Sequence, residues 1–214
     1  MKKIKKQLNK LMKFGSPNNI KKYLKKILSS RKTKFITPPN DGKIRYNLGC
    51  GDKILEGYIN VDCVPSRKGK TPDIVCNITN LNLKKNYADE IMAIHVIEHF
   101  YPWEAEKLLS HWKSFLKPGG KIILECPNFF EAAKFFSNKR NQSQDNLNKF
   151  VYWPIYGDPS HADPLMMHKW GYTSASLISL LKKSGFVDVV KAKAVFKQQE
   201  PRDMRVTGVK SHEA

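Results

Sequence analysis

Apolar positions near the start of the chain recur at helical spacing. Ile4, Leu8, Leu11 and Met12 form one stripe, with Lys2, Lys3, Lys5, Lys6, Lys10 and Lys13 mostly on other faces. After the break at Gly15-Ser16-Pro17-Asn18-Asn19, residues Ile20, Tyr23, Leu24, Ile27 and Leu28 repeat the pattern over Lys21, Lys22, Lys25 and Lys26. The spacing predicts two basic amphipathic helices. Residues 29–43, with Ser29-Ser30, Pro38-Pro39-Asn40 and Asp41-Gly42, read as a linker. The chain thus divides into a helical arm with its linker, 1–40, and one domain, 41–214.

From Lys43 onward the pattern changes to short β-rich runs alternating with longer helical stretches, the order expected of a parallel sheet with crossover helices. Seven strands are predicted: Ile44 to Leu48, Tyr58 to Asp62, Asp73 to Cys76, Glu90 to Ile94, Gly120 to Cys126, Phe186 to Phe196 and Met204 to Lys210. Helices are predicted over Val96 to Phe100, Trp103 to Leu116, Phe129 to Asn138 and Thr173 to Ser184, the last closed by Gly185. Residues 139–170 are polar, aromatic and punctuated by Pro154, Gly157, Pro159 and Pro164, which reads as an inserted loop or lid. The fold class is α/β.

Composition narrows the partners. With 214 residues, 41% of them hydrophobic, the chain can bury a real core, which excludes global disorder. No apolar run approaches the length of a membrane span, and the lysine-rich start lacks the apolar stretch of a secretory signal, so the expected location is cytoplasmic. Of 38 Lys and Arg, 13 fall in residues 1–34 without a single acid, which leaves 25 against 19 Asp and Glu in the rest. The basicity is largely that of the arm. Three readings of it stand: a solvated face over packing helices, attachment to anionic lipid at the inner membrane face, and RNA binding, the last weakened by the scarcity of Arg and aromatics there. Cys50, Cys63, Cys76 and Cys126 lack the paired spacing of a zinc site and read as small buried hydrophobes.

The chemistry gathers at the ends of the first strands. In Tyr46-Asn47-Leu48-Gly49-Cys50-Gly51-Asp52 a strand runs into a glycine turn, where the backbone can approach a ligand closely. Asp62 ends the next strand, where a carboxylate can accept hydrogen bonds from both hydroxyls of a ribose. The third run closes with Asn77 and Ile78, a polar edge and an apolar face suited to adenine. Together these describe an adenosine pocket at the carboxyl ends of a parallel sheet. Ile54 stands where a dinucleotide fingerprint wants its third glycine, and no GxxxxGK[ST] loop occurs.

Asn47-Leu48-Gly49-Cys50-Gly51, Gly57-Tyr58-Ile59-Asn60-Val61-Asp62, Ala93-Ile94-His95-Val96-Ile97-Glu98-His99-Phe100 and Leu116-Lys117-Pro118-Gly119-Gly120 follow one another in order, with His168-Lys169-Trp170-Gly171-Tyr172 and Arg202-Asp203-Met204-Arg205-Val206 after them. In these residues the chain resembles class I S-adenosylmethionine-dependent methyltransferases, in particular small members found among surface-polysaccharide biosynthesis proteins. The resemblance implies a Rossmann-like seven-stranded sheet with an antiparallel final hairpin and S-adenosyl-L-methionine as cofactor. It implies a cofactor site of Asn47, Gly49, Cys50, Gly51, Asp62, Asn77, Ile78 and His95, with His95 near the sulfonium. It also departs from the family: an acid commonly stands where Asn77 is, and too few residues separate Gly51 from Asp62 for the usual crossover helix.

Methyl transfer to an aliphatic hydroxyl benefits from a base, and His95, His99, His161 and His168 are the candidates for it, with His95, His161 and His168 the catalytic residues expected. His99 follows His95 by four residues with Glu98 between, but the zinc metalloprotease motif needs its glutamate directly after the first histidine, so no metal is expected. His161 sits beside Asp158 and Asp163 among Tyr152, Trp153 and Tyr156, residues that suit either a carbohydrate or an anchored loop. The fourth strand ends in Ile94-His95-Val96, not in the Asn/Asp-Pro-Pro-Tyr/Phe of base-amine methyltransferases, and Cys126-Pro127 reverses the Pro-Cys of cytosine-C5 enzymes. The expected activity is O-methylation of a sugar or glycan-related acceptor. The alternative is a scaffold that binds the adenosyl nucleoside without turnover and is recruited by its arm. Nothing in the sequence fixes an oligomeric state.

Overall fold

The computed structural model describes residues 41–138, 143–196 and 202–212. The basic helices expected over 1–34 lie outside the described residues. All seven expected strands form: β1 (Arg45–Leu48), β2 (Ile59–Asp62), β3 (Ile74–Val75), β4 (Ala88–Ile94), β5 (Leu116–Pro127), β6 (Phe186–Ala192) and β7 (Asp203–Lys210). They make one sheet in the order β3-β2-β1-β4-β5-β7-β6, with β7 antiparallel to both its neighbours and the other pairs parallel. The helices are α1 (Pro102–Phe115), α2 (Phe129–Ser137), α3 (Gln144–Leu147), α4 (Trp153–Tyr156) and α5 (Ser174–Lys183). The expected helix after β4 shrinks to a 3-10 turn, Ile97–His99.

The two faces of the sheet differ in chemistry. Register aligns Tyr46, Ile59, Ile91 and Ile122 in one row and Leu48, Val61, Ala93, Leu124 and Val206 in the next. All are buried, as are Leu108, Leu109, Trp112 and Phe115 of α1 and Leu177 and Leu181 of α5. α1 packs on β5 and on α5, and α5 on β6 and β7, so this face holds the main core. On the other face Asn47, Asn60, Glu90, Glu125, Arg205 and Thr207 alternate with a small cluster of Met92, Ile94 and Ile123, packed by Leu55, Tyr58 and Phe196.

No helix connects β1 to β2. Asparagine side chains hold the short connection instead. Asn47 Nδ2 donates to Lys53 O at 2.7 Å and to Asn60 Oδ1 at 2.9 Å. Asn60 Oδ1 also accepts from Leu55 N at 2.9 Å, and its Nδ2 donates to Leu55 O and Tyr58 O. A loop can run against a sheet without helical cover when its buried backbone groups are paired in this way.

Three expectations need correction. β6 stops at Ala192, not Phe196, because Val195 N and Phe196 N donate to the buried Glu125 carboxylate at 2.9 and 2.8 Å and leave the ladder. The segment read as a loop carries α3, a π turn (Asn148–Tyr152), α4 and two 3-10 turns (Pro159–His161 and Pro164–Met166). Pro154, Pro159 and Pro164 stand in the first turns of their segments, where a missing N–H costs nothing, and Asp158 and Asp163 cap Ser160 N and Leu165 N, both at 2.9 Å. The cysteines split: Cys50 and Cys126 are buried, but Cys63 is exposed and Cys76 half-buried, since both lie where the chain leaves the carboxyl edge of the sheet.

Candidate functional site

β1 lies between β2 and β4, so the chain's winding reverses beside it and a crevice opens at the strand ends. The turn there uses Gly49 and Gly51, both with left-handed φ, +68° and +54°. A Cβ on Gly49 would sit 2.6 Å from Val96 Cγ2, so glycine lets the β4 end close on the β1 end. Gly49 N and Cys50 N both donate to Val61 O, at 2.8 and 3.0 Å, which ties the turn to β2.

Asp62, 7% exposed, completes this corner. Its Oδ2 accepts from Gly51 N at 2.7 Å and its Oδ1 from Val64 N at 2.9 Å. The Cys63 thiol also donates to this carboxylate. Cys76 N donates to Asp62 O, bringing the β3 end alongside. There Asn77 is exposed, its Oδ1 accepting from Thr79 N and Thr79 Oγ1, so its amide N–H groups remain to face a ligand. Ile78 is buried beneath, with its carbonyl accepting from Trp112 Nε1 at 3.4 Å. Burial, aided by the Asp62 charge, pushes the Cys50 thiol up to about 12. It is no nucleophile. Both N–H groups of the Asn47 amide are spent on Lys53 and Asn60, turned toward the loop.

At the end of β4, His95 takes φ +53° and still donates its N–H to Glu125 O at 2.7 Å. Its Nδ1 lies 3.2 Å from Glu98 Oε1 and its Nε2 3.4 Å from Asp203 Oδ1. Asp203 in turn pairs with Arg202 at 3.0 Å. Both ring nitrogens thus face buried carboxylate oxygens, which turns neither of them toward an acceptor. Burial alone would push the Glu98 carboxyl up, but the adjoining His95, with His99 and His168, holds it down to about 2.

His95 and His99 do not share a helical face, because the turn begins only at Ile97. His168 joins instead. Glu98 O accepts from Lys169 N and Trp170 N, which brings the chain after the insertion against the turn. His168 Nε2 lies 3.9 Å from Glu98 Oε1, and the His99 and His168 rings meet edge to face at 4.9 Å. His168 Nδ1 donates to Pro154 O at 2.9 Å, and His99 Nδ1 to Met167 O at 3.1 Å. Burial keeps the His168 pKa below that of an ordinary imidazole, against the pull of Glu98. His161 is exposed on its 3-10 turn and takes no part in these pairings.

Glu98, Asp203, Asn128 and Tyr172 had no assigned role in the sequence. Glu98 Oε2, Asp203 Oδ1, Asn128 Oδ1 and Tyr172 Oη are buried without hydrogen-bond partners, as unspent polar atoms at functional sites often are. Asp203 was legible in principle: β7 runs antiparallel to β5, so its first residue must lie at the carboxyl edge of the parallel strands. Beside the histidines, Tyr152, Trp153, Tyr156 and Met167 line a cleft of about 260 Å³. Arg67, from the loop after β2, reaches across to Met166, Nη1 to Sδ 2.9 Å.

Residues 59–124 match a family of methyltransferase domains. No curated protein matches the chain in sequence. Among solved structures, a SAM-dependent methyltransferase from Archaeoglobus fulgidus is 22% identical with a TM-score of 0.53, the match covering 92% of this chain and 95% of that one. The methyltransferase SibL is 15% identical with a TM-score of 0.51, over 79% of this chain and 50% of SibL. Phosphoethanolamine N-methyltransferase 2 of Haemonchus contortus, solved with S-adenosyl-L-methionine, is 13% identical with a TM-score of 0.51, over 86% of this chain and 52% of that one. Among the described residues no helix is long and apolar enough to cross a membrane. The chain has the class I methyltransferase fold, and its central strands match the methyltransferase domain family.

Proposed function

We propose that the chain is an S-adenosylmethionine-dependent methyltransferase that methylates a hydroxyl of a sugar or glycan-related acceptor. The observation that carries the first part is the Asp62 corner. A carboxylate is fixed by Gly51 N and Val64 N at the switch point of the sheet, an acceptor placed for a ribose diol. Ile78 gives the adenine an apolar face, and the free N–H groups of Asn77 suit its ring nitrogens rather than its amino group.

When bound, the cofactor supplies a methyl carbon already activated by positive sulfur, so the protein mainly aligns the acceptor, a contribution of up to about 7–11 kcal/mol. His95, fixed between Glu98 and Asp203, orients the end of β4 and does not take the acceptor proton. Deprotonation of the hydroxyl falls to the Glu98–His99–His168 group, where each Nδ1–H is spent on a carbonyl and each Nε2 is left for another partner. The cleft of Tyr152, Trp153, Tyr156 and Met167 beside it supports a sugar acceptor, whose C–H faces pack on aromatic rings.

Calorimetry with S-adenosylmethionine, then donor consumption over a panel of free, nucleotide-linked and lipid-linked sugars, tests both parts. Asp62→Asn should weaken binding at least about 10-fold in a protein that still melts cooperatively, the loss of one good hydrogen bond to a charged group. Unchanged affinity refutes the Asp62 assignment. Binding with no methylated product from any acceptor refutes turnover and leaves the scaffold reading.

A further inference from the structure

We infer that Glu98, His99 and His168 form a binding site for a divalent first-row transition ion of the zinc type. Each side chain brings one ligand atom, and the three lie within 4.8 Å of one another. A modest contraction brings them to the spacing of ligands around one ion.

The protonation pattern points the same way. Met167 O and Pro154 O can only accept, so the Nδ1 atoms facing them at 3.1 and 2.9 Å both carry hydrogen, which leaves each Nε2 as the nitrogen open to another partner. Imidazoles held by a main-chain carbonyl on one nitrogen and bare on the other have the outer-shell support of metal-binding histidines. Glu98 receives no hydrogen bond from either ring. Its carboxylate is 2% exposed, and neither oxygen receives a well-formed hydrogen bond. His95 Nδ1 lies 3.2 Å from Oε1, but Oε2 keeps no donor. Two imidazoles and a carboxylate without a hydrogen-bond partner converge here, which is what a cation requires.

Two imidazoles and a carboxylate select zinc, cobalt or ferrous iron over magnesium and calcium, and leave positions open. Tyr156 and Met167, whose carbonyls accept from His168 N and from the His99 ring, also line the aromatic cleft, so the same residues fix the ligands and shape the adjoining pocket. A hydroxyl at the open position would lose its proton to water more readily than a free one. The ion site stands whether or not the chain transfers methyl groups.

The test uses the untagged full chain, stripped with chelator and titrated with Zn²⁺ against a chromophoric indicator and with Co²⁺ by absorption. One ion per chain is expected, with affinity reduced at least about 100-fold in His99→Ala and in His168→Ala, beyond the effect of losing an outer-shell partner. His212→Ala should be unchanged, and Mg²⁺ should not compete. Should a variant fail to melt cooperatively, the wild-type Co²⁺ form decides: two exchangeable, paramagnetically shifted imidazole N–H resonances and no intense thiolate-to-cobalt band. Absence of stoichiometric binding overturns the inference. So does binding that survives the double His99→Ala/His168→Ala substitution, or a thiolate signature, which would assign the ion to cysteines.

Discussion

Gly49→Ala isolates the contact that closes the cofactor crevice. The substitution has two separable costs. An alanine at φ +68° pays about 1–2 kcal/mol for the left-handed conformation. The new Cβ also meets Val96 Cγ2 at 2.6 Å and Cγ1 at 3.3 Å, and Val96 is buried and β-branched, so it has no easy rotamer to retreat into. Overpacking of this kind costs about 1–3 kcal/mol. Gly57→Ala is the matched control: its φ is +77°, and nothing lies within 4 Å of the added carbon. Both changes lower the entropy of the unfolded chain alike, so that effect cancels between them. Urea unfolding of the full chain should therefore find Gly49→Ala less stable than Gly57→Ala by about 1–3 kcal/mol. Adding Val96→Ala should recover most of the difference, a favourable coupling of about 0.5–3 kcal/mol in the double-mutant cycle. Equal losses in the two glycine variants, or additive behaviour with Val96→Ala, would refute the contact. Calorimetry supplies a second reading: Gly49→Ala moves Val96 and with it His95, so S-adenosylmethionine affinity should fall in this variant and not in Gly57→Ala.

Glu125 gives a pH dependence. Burial pushes its carboxyl up, but Val195 N, Phe196 N and the Arg205 guanidinium outweigh that and hold it below the ordinary glutamate value of 4.5. As pH falls through 4.5 the unfolded chain takes up this proton before the folded one, so stability present above that pH is lost below it, and Glu125→Gln should flatten the acid limb of a urea-midpoint curve; parallel curves would contradict the clamp. Maleimide labelling of the native protein should modify Cys63 first and leave Cys126 untouched until unfolding, with bound S-adenosylmethionine slowing Cys63 beside Asp62; fast reaction at Cys126 would contradict its burial. Trp112→Ala should cost about 3–5 kcal/mol in the same urea assay, since the indole is wholly buried between the sheet and α1, and a loss under about 1 kcal/mol would remove it from the core. For the arm, flotation with anionic vesicles should weaken when Lys21, Lys22, Lys25 and Lys26 become Gln, each lysine adding about 1 kcal/mol near such a surface; indifference would leave only the solvated and RNA readings.

What was legible in the sequence was local. Alternating runs located all seven strands within a few residues, because each buried row of Val, Ile and Leu has to face α1 or α5. Asp62 could be assigned from its place at a strand end beside a glycine turn. The histidine cluster could not. Its members stand at 95, 98, 99, 168 and 203 and meet only because the segment after the insertion bonds to Glu98 O and because β7 returns antiparallel to the strand edge. The prolines misled for a related reason: a proline ends one element and begins the next with equal ease, and only the caps by Asp158 and Asp163 tell which.

The polar face of the sheet explains how so short a chain keeps this crevice. Where larger α/β folds cover both faces with helices, among the described residues of this face side chains pair with buried backbone groups. Asn60 binds the β1–β2 loop, Asp73 Oδ2 accepts from Asn60 N at 2.8 Å, Asp89 Oδ2 from Ile44 N at 2.7 Å, and Glu125 gathers Val195, Phe196 and Arg205. Each is a carboxylate or amide doing for a loop what a helix does for its own main chain, satisfying N–H groups that burial would otherwise leave unpaired. The arrangement removes the need for a crossover helix between β1 and β2, and so the Gly49–Gly51 turn is held by Val61, Asp62 and Val96 rather than by a helix end. Ligand geometry at the crevice then depends on single hydrogen-bonded side chains, which is why the conservative changes at Gly49 and Asp62 are the ones expected to reach it.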